Sequence, residues 1–183
     1  MTRHHTQAPF RRHKGAVERV TFHPTKPQFF VASQRTVRVY DLMAQSLVRT
    51  LRPGVRWIAS LDVHAGGDHV LVGSYDKRVT WHDLDLSSAP YKTLRYHTRA
   101  VRKVAYSPRW PLFVTGADDG SLHVFHSTVY NDLVTPPLIV PLKRVGAAHE
   151  VQDGLGVLDV SWHPTEPWVV TVGADGHGRL WTP

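Results

Sequence analysis

The 183 residues contain no cysteine at all. That excludes disulfides and thiolate metal sites, and it fits a reducing compartment. Nor is there an apolar run near the roughly 18–20 residues that a membrane-spanning helix needs. The first residues, Met-Thr-Arg-His-His, lead into no hydrophobic stretch, so no secretory signal is expected. Thirteen histidines are present, yet none forms a His-x-x-x-His pair with a nearby carboxylate on a helical stretch, so no metal and no cofactor are expected. The sequence also lacks a nucleophile elbow and a phosphate-cradling glycine loop ending in Lys-Ser/Thr, which argues against an enzyme. Acidic residues are scarce beside basic ones: 15 Asp and Glu face 22 Lys and Arg, a net charge of +7. With a pI near 10, such a chain attracts polyanions, of which nucleic acid is the commonest.

What is present is a repeat. Four segments align: VERVTFHPTKPQFFVAS from Val17, IASLDVHAGGDHVLVGS from Ile58, VRKVAYSPRWPLFVTGA from Val101 and VLDVSWHPTEPWVVTVG from Val157. Each opens with apolar residues in alternation (Val20/Phe22, Leu61/Val63, Val104/Tyr106, Val160/Trp162), the period of a strand with one buried face. A Pro or Gly turn then stops the strand. A second apolar strand follows, and after a tight turn a third, at 36–41, 78–83, 121–126 and 178–182. A fourth can be read in SLVRTL, YKTLRY and LIVPLK. Pro or Gly interrupts every stretch long enough for a helix, and β-branched and aromatic residues fill the segments between. An all-β chain is expected, built of four short strands per repeat at a little over 40 residues, which is the pattern of propeller blades.

The closing dipeptides Tyr40-Asp41, His82-Asp83, Phe125-His126 and Trp181-Thr182 resemble the Trp-Asp pair of the WD-repeat family. In that family a His precedes the inner strand by four residues, as His13 precedes Val17 and His97 precedes Val101. An Asp lies six residues before the Trp; Asp76, Asp119 and Asp175 hold that place. With a hydroxyl such as Thr115, these side chains are implied to form a buried hydrogen-bond network. The pattern is degenerate: Gln34 replaces the Asp in the first repeat, while Gly54 and Asp153 stand where His is expected in the second and fourth. Only the third repeat is expected to keep both His97 and Asp119. The blades are expected at about 7–41, 46–83, 91–126 and 138–182, with a long insertion over 127–156. Closed rings avoid raw sheet edges: either the first residues, about 7–13, close the last blade of a small ring, or, as is favoured because this repeat commonly makes rings of seven, the chain is the C-terminal part of a larger propeller.

Longer strings narrow the family. GSYDKRVTWHDLDLS at 73–87, PYKTLRYHTRAVR at 90–102, DDGSLHVFHSTVYNDL at 118–133, PLIVPLK at 137–143 and LGVLDVSWHPTEPWVVTVGADGHGRLW at 155–181 resemble the C-terminal propeller of the block-of-proliferation family. The resemblance implies a non-enzymatic scaffold of ribosome biogenesis, resident in nucleolus and nucleoplasm. It implies support for maturation of the large-subunit rRNA precursor, through a pescadillo-type protein, a second WD-repeat protein, pre-rRNA and large-subunit precursor particles. An adaptor of another multiprotein complex is the alternative reading, and a propeller hydrolase a third.

Within this frame, Arg95, Arg99, Arg102, Lys103 and Arg109 form a stretch without acid, interleaved with Tyr96, His97 and Tyr106, and are candidates for RNA or phosphate contact. Arg11, Arg12 and Lys14 form a second basic stretch. Arg52, Arg56 and Trp57 combine types favoured at protein interfaces, although Trp57 could equally pack within a blade. The 127–156 insertion, with its Pro and Gly residues, is either a functional loop or an unstructured one.

Overall fold

The computed structural model describes residues 13, 15–128 and 139–183. The blade start expected before residue 13, the basic residues Arg11, Arg12 and Lys14, and the middle of the 127–156 insertion lie outside the described residues. Fifteen strands are described and they group into four antiparallel sheets, each a run of consecutive strands. The first comprises β1 (Val17–Phe22), β2 (Gln28–Ser33), β3 (Val37–Asp41) and β4 (Ser46–Leu51). The second comprises β5 (Ile58–Val63), β6 (His69–Ser74), β7 (Val79–Asp83) and β8 (Lys92–Leu94). The third comprises β9 (Val101–Tyr106), β10 (Leu112–Ala117), β11 (Leu122–His126) and β12 (Pro141–Val145). The last has β13 (Val157–Trp162), β14 (Val169–Gly173) and β15 (Gly178–Trp181). Each fourth strand pairs back onto the third strand before it, so the sheets sit one strand out of phase with the repeats read at 46–83, 91–126 and 138–182.

The turns follow from the sequence. His23 Nδ1 accepts from the backbone N–H groups of Thr25 and Lys26, and His163 Nδ1 does the same for Thr165 and Glu166. Ser107 Oγ takes the amide of Trp110. A short polar side chain before the turn thus captures amides that the strand can no longer pair. Asp41 and Asp83 accept two backbone amides apiece after their third strands.

Sheets stack face to face like the blades of a fan. The inner strands β1, β5, β9 and β13 are successive neighbours, and three apolar clusters fill the three gaps between sheets. Phe30, Ala32, Ile58 and Leu61 lie in the first gap, Leu71, Trp81, Val101 and Phe113 in the second, Val114, Leu122, Val157 and Val160 in the third. The free edge of an inner strand is stitched to its neighbour by side chains. Val104 N–H donates to Ser60 Oγ (3.1 Å), Tyr106 N–H to Asp62 Oδ2 (2.7 Å), and Trp162 Nε1 to the Ala105 carbonyl (3.0 Å). Where no described sheet precedes the first or follows the last, the apolar alternation faces outward: Phe22 is 70% exposed on β1 and Leu180 is 58% exposed on β15.

Every inner strand begins with the same irregularity. The register slips between Val17 and Arg19, between Ile58 and Ser60, opposite Gly116 and Ala117, and between Val157 and Asp159. A bulge leaves one residue unpaired and re-aims its side chain; here those residues are Glu18, Ala59, Arg102 and Leu158.

Two expectations change. The fourth strand read in LIVPLK lies a few residues further along the chain, because the outer strand of the third sheet runs over Pro141–Val145; Pro141, lacking a donor, can only open it. Part of the 127–156 stretch therefore belongs to the blades, since its described residues include β12 and a core histidine described next.

Candidate functional site

One end of the fan carries the β2–β3, β4–β5, β6–β7, β8–β9 and β10–β11 connections. In the third sheet, His97 leaves the loop before β9 and enters the interior. Its Nε2 lies 2.7 Å from Thr115 Oγ1 and its Nδ1 lies 3.4 Å from Asp119 Oδ2 and 2.9 Å from Ser121 Oγ. Burial pushes the Asp119 carboxyl up, but bonds from His97, Ser121 and the Thr98 amide outweigh it and hold the pKa below the usual carboxylate range.

The fourth sheet builds the same device, which corrects the reading that only the third retains it. His149, not Asp153, fills the histidine position. Its Nδ1 sits 2.9 Å from Asp175 Oδ1 and its Nε2 2.7 Å from Thr171 Oγ1, while Trp181 Nε1 donates to the same hydroxyl at 2.9 Å. Thr171 thus accepts from Trp181 and donates to His149, leaving the histidine proton on Nδ1 to face Asp175. Asp153 and Gly154 instead form a turn with positive φ, closed by the Gln152–Leu155 bridge. That turn lengthens the loop between His149 and β13, so counting back four residues from the strand lands on the wrong side chain. In the first sheet, among the described residues, His13 reaches the Tyr40 hydroxyl, at 3.4 Å. In the second, Asp76 bonds Ser74 Oγ and the Arg56 amide and pairs with Arg78 at 3.6 Å, with no histidine partner among the described residues.

The basic stretch from Arg95 to Arg109 is not one surface. Arg95 and Arg99 are exposed in the β8–β9 loop. Arg109 is exposed in the β9–β10 turn, about 20 Å away at the other end of a six-residue strand. Between them, two cations are already engaged. Arg102 Nε donates to both carboxylate oxygens of Asp118 (2.9 and 2.8 Å) and its Nη2 lies 2.8 Å from Oδ2. Lys103 Nζ pairs with Asp159 at 3.0 Å. Among the described residues, Arg99 makes a 3.4 Å contact with the Gly154 carbonyl and no ion pair. The aromatics divide likewise: Tyr106 is core and His97 is network, while Tyr96 donates its hydroxyl to the Ile139 carbonyl beneath the Arg144 guanidinium.

Arg52, Arg56 and Trp57 share the β4–β5 loop, where Pro53 and Val55 are buried and the three candidates point outward. Trp57 is 43% exposed and so does not pack within a blade. Its Nε1 donates to Glu18 at 2.8 Å, and its ring meets Tyr75 edge-on at 6.3 Å. Tyr75 was missed in the sequence because it sits one residue before the turn Asp, where any type is tolerated. Among the described residues, no group of three His, Asp or Glu side chains is placed to hold a metal ion.

Comparison with known proteins agrees with this architecture. The family model for the WD domain, G-beta repeat, matches residues 4–41, 88–126 and 142–182. The unmatched stretch includes the loop where Gly54 replaces histidine. The chain is 62% identical, over its whole length, to Ribosome biogenesis protein ERB1 of Malassezia globosa. It is 56% identical over 98% of its length to the protein of the same name from Coprinopsis cinerea, and 54% identical over its whole length to that of Saccharomyces cerevisiae. It spans 22%, 24% and 22% of those relatives' lengths, respectively.

Proposed function

The chain belongs to the WD-repeat family, and from that premise we propose that it acts as a non-enzymatic scaffold in ribosome biogenesis, supporting maturation of the large-subunit rRNA precursor and assembly of the large subunit through protein and RNA contacts. The observation that carries this reading is the 62% identity, extending over the entire chain, to a protein named for ribosome biogenesis. Identity at that level covers exposed loops as well as the blade core, which a shared fold alone does not require. Two features of the molecule support a binding role. Its ionisable clusters close on themselves as structural networks, with hydroxyl, imidazole and carboxylate buried and mutually bonded. Its exposed cations, including Arg56, Arg95, Arg99 and Arg109, and its net charge of +7 suit a polyanionic environment.

On this reading the partners are a pescadillo-type protein, a second WD-repeat protein, pre-rRNA and large-subunit precursor particles, and the site of action is nucleolus and nucleoplasm. No cofactor and no catalytic step are invoked. Affinity purification of the tagged chain from growing cells tests it. Co-recovery of large-subunit precursor rRNA with a pescadillo-type protein is the expected result. Recovery of an unrelated complex without precursor rRNA overturns it in favour of an adaptor role elsewhere.

A further inference from the structure

Two exposed aromatics, Trp57 and Tyr75, both from the second sheet, are held in place by residues from the sheets on either side. The holders are bulge residues. Glu18, unpaired at the start of β1, accepts the indole N–H of Trp57 at 2.8 Å. Arg102, unpaired at the start of β9, lies with its guanidinium 5.0 Å from the Tyr75 ring centre, fixed there by the bidentate bond to Asp118. The two rings meet edge to face at 83°. Exposed aromatic side chains on a loop normally move; these are clamped across three sheets.

The chemistry left over is specific. An exposed Trp at a protein interface ordinarily offers its N–H as a polar handle, but here Glu18 has taken it. What remains outward is π surface, and the free charges of the adjoining connections are positive. Arg56 precedes Trp57 in its loop, Lys77 follows Tyr75 in the turn at φ 69°, and both are exposed. The carboxylates nearby are each engaged: Glu18 holds the indole N–H, Asp76 accepts from the Ser74 hydroxyl and the Arg56 backbone amide and pairs with Arg78 at 3.6 Å, and Asp118 is bound to Arg102. A pre-set aromatic face with two exposed cations, Arg56 and Lys77, in the same two connections fits stacked bases with flanking phosphates.

We propose that the Trp57–Tyr75 pair is a stacking platform for single-stranded RNA, with Arg56 and Lys77 contacting its phosphates. This rests on the RNA-binding part of the proposed function and gives it a location. Arg102 is then a positioning residue, which accounts for a cation in the basic stretch that has no free charge to offer.

Fluorescence anisotropy of the full chain with a labelled 12-nucleotide oligo(A) tests the platform, against a 12-base-pair RNA duplex and a 12-residue Glu/Asp peptide. Trp57→Ala is expected to weaken oligo(A) binding about tenfold, leaving the salt slope unchanged and the thermal transition cooperative. Trp57→Phe should retain most of the affinity, and Arg56→Glu with Lys77→Glu should flatten the salt slope. Equal binding by Trp57→Ala and the unmodified chain overturns the platform; if charge reversal at Arg95 and Arg99 then abolishes binding, the RNA-binding reading stands without it. Trp57-dependent capture of the acidic peptide in place of oligo(A), or duplex bound as tightly as single strand, also overturns it. Failure of the unmodified chain to bind any oligonucleotide overturns both.

Discussion

Replacing Gly116 by valine separates two views of this chain. Considered as an isolated strand, β10 should welcome the change, since glycine weakens strands and valine favours them on a scale of about 1 kcal/mol. The stacked sheets forbid it. A Cβ at Gly116 would lie 2.6 Å from Val157 Cγ1 and 2.8 Å from Val160 Cγ2, both methyls of buried residues in the third gap. The same place is Ala32 in β2 and Gly73 in β6, each covered by the next inner strand, whereas in β14 it is Val172, which stands 42% exposed. Size at this position tracks whether a sheet follows. Overpacking costs about 1–3 kcal/mol, and valine adds two further methyls to a gap already too narrow for one carbon. A net loss of about 2–3 kcal/mol, or roughly 4–12 °C in melting temperature for a chain of this size, is expected in thermal melts followed by far-ultraviolet circular dichroism. Gly73→Ala, whose Cβ would meet Val104 and Val101 at 3.0 and 3.1 Å, should cost less. Trimming Val157 to alanine should recover part of the Gly116 loss. A Gly116→Val chain melting at or above the parent temperature would refute the packing of one sheet on the next.

Other consequences follow from the networks. Thr171→Val removes a fully buried hydroxyl shared by His149 and Trp181 and should cost about 2–3 kcal/mol in denaturant titrations; a neutral result would show that the tetrad is not formed. Arg102→Ala leaves Asp118, only 5% exposed, without its partner, at a cost of about 3 kcal/mol, and Arg102→Lys should restore only part because a single ammonium cannot bond both oxygens. Acid should weaken the fold. Burial pushes the imidazoles of His82 and His123 down to about 4, so below pH 6.5 the unfolded chain takes up protons that the folded one refuses. Stability is then whole above 6.5 and lost progressively toward 4. His82, fully buried, accounts for about 2 kcal/mol of loss between pH 7.5 and 5.0. His82→Phe, with Phe125 as precedent at the matching place, should remove that share; an unchanged pH profile would contradict it.

The strands were legible because a half-buried strand writes its period into the sequence. The third strands expected at 36–41, 78–83, 121–126 and 178–182 match β3, β7, β11 and β15 to within a residue. Gly73 and Gly116 stand in the sequence too, but their meaning depends on valines of the next inner strand, far along the chain. His149 was missed because spacing rules assume a loop of fixed length, and the Asp153-Gly154 turn lengthens this one. All five cations of the Arg95–Arg109 stretch look available because a linear count ignores where partners fold to: Asp118 and Asp159 arrive from other strands and take Arg102 and Lys103. Trp57 and Tyr75 are 18 positions apart, and only the bulges at Glu18 and Arg102 reveal that they form one face.

The most direct measurement is residue-resolved amide hydrogen exchange at Val104 and Tyr106. Both amides point away from β10, on the free edge of an inner strand, and are bonded only to Ser60 and Asp62 of the preceding sheet. The account predicts that they exchange as slowly as the ladder amides between β9 and β10. Exchange at the rate of an open strand edge would mean that the sheets do not stack as successive blades.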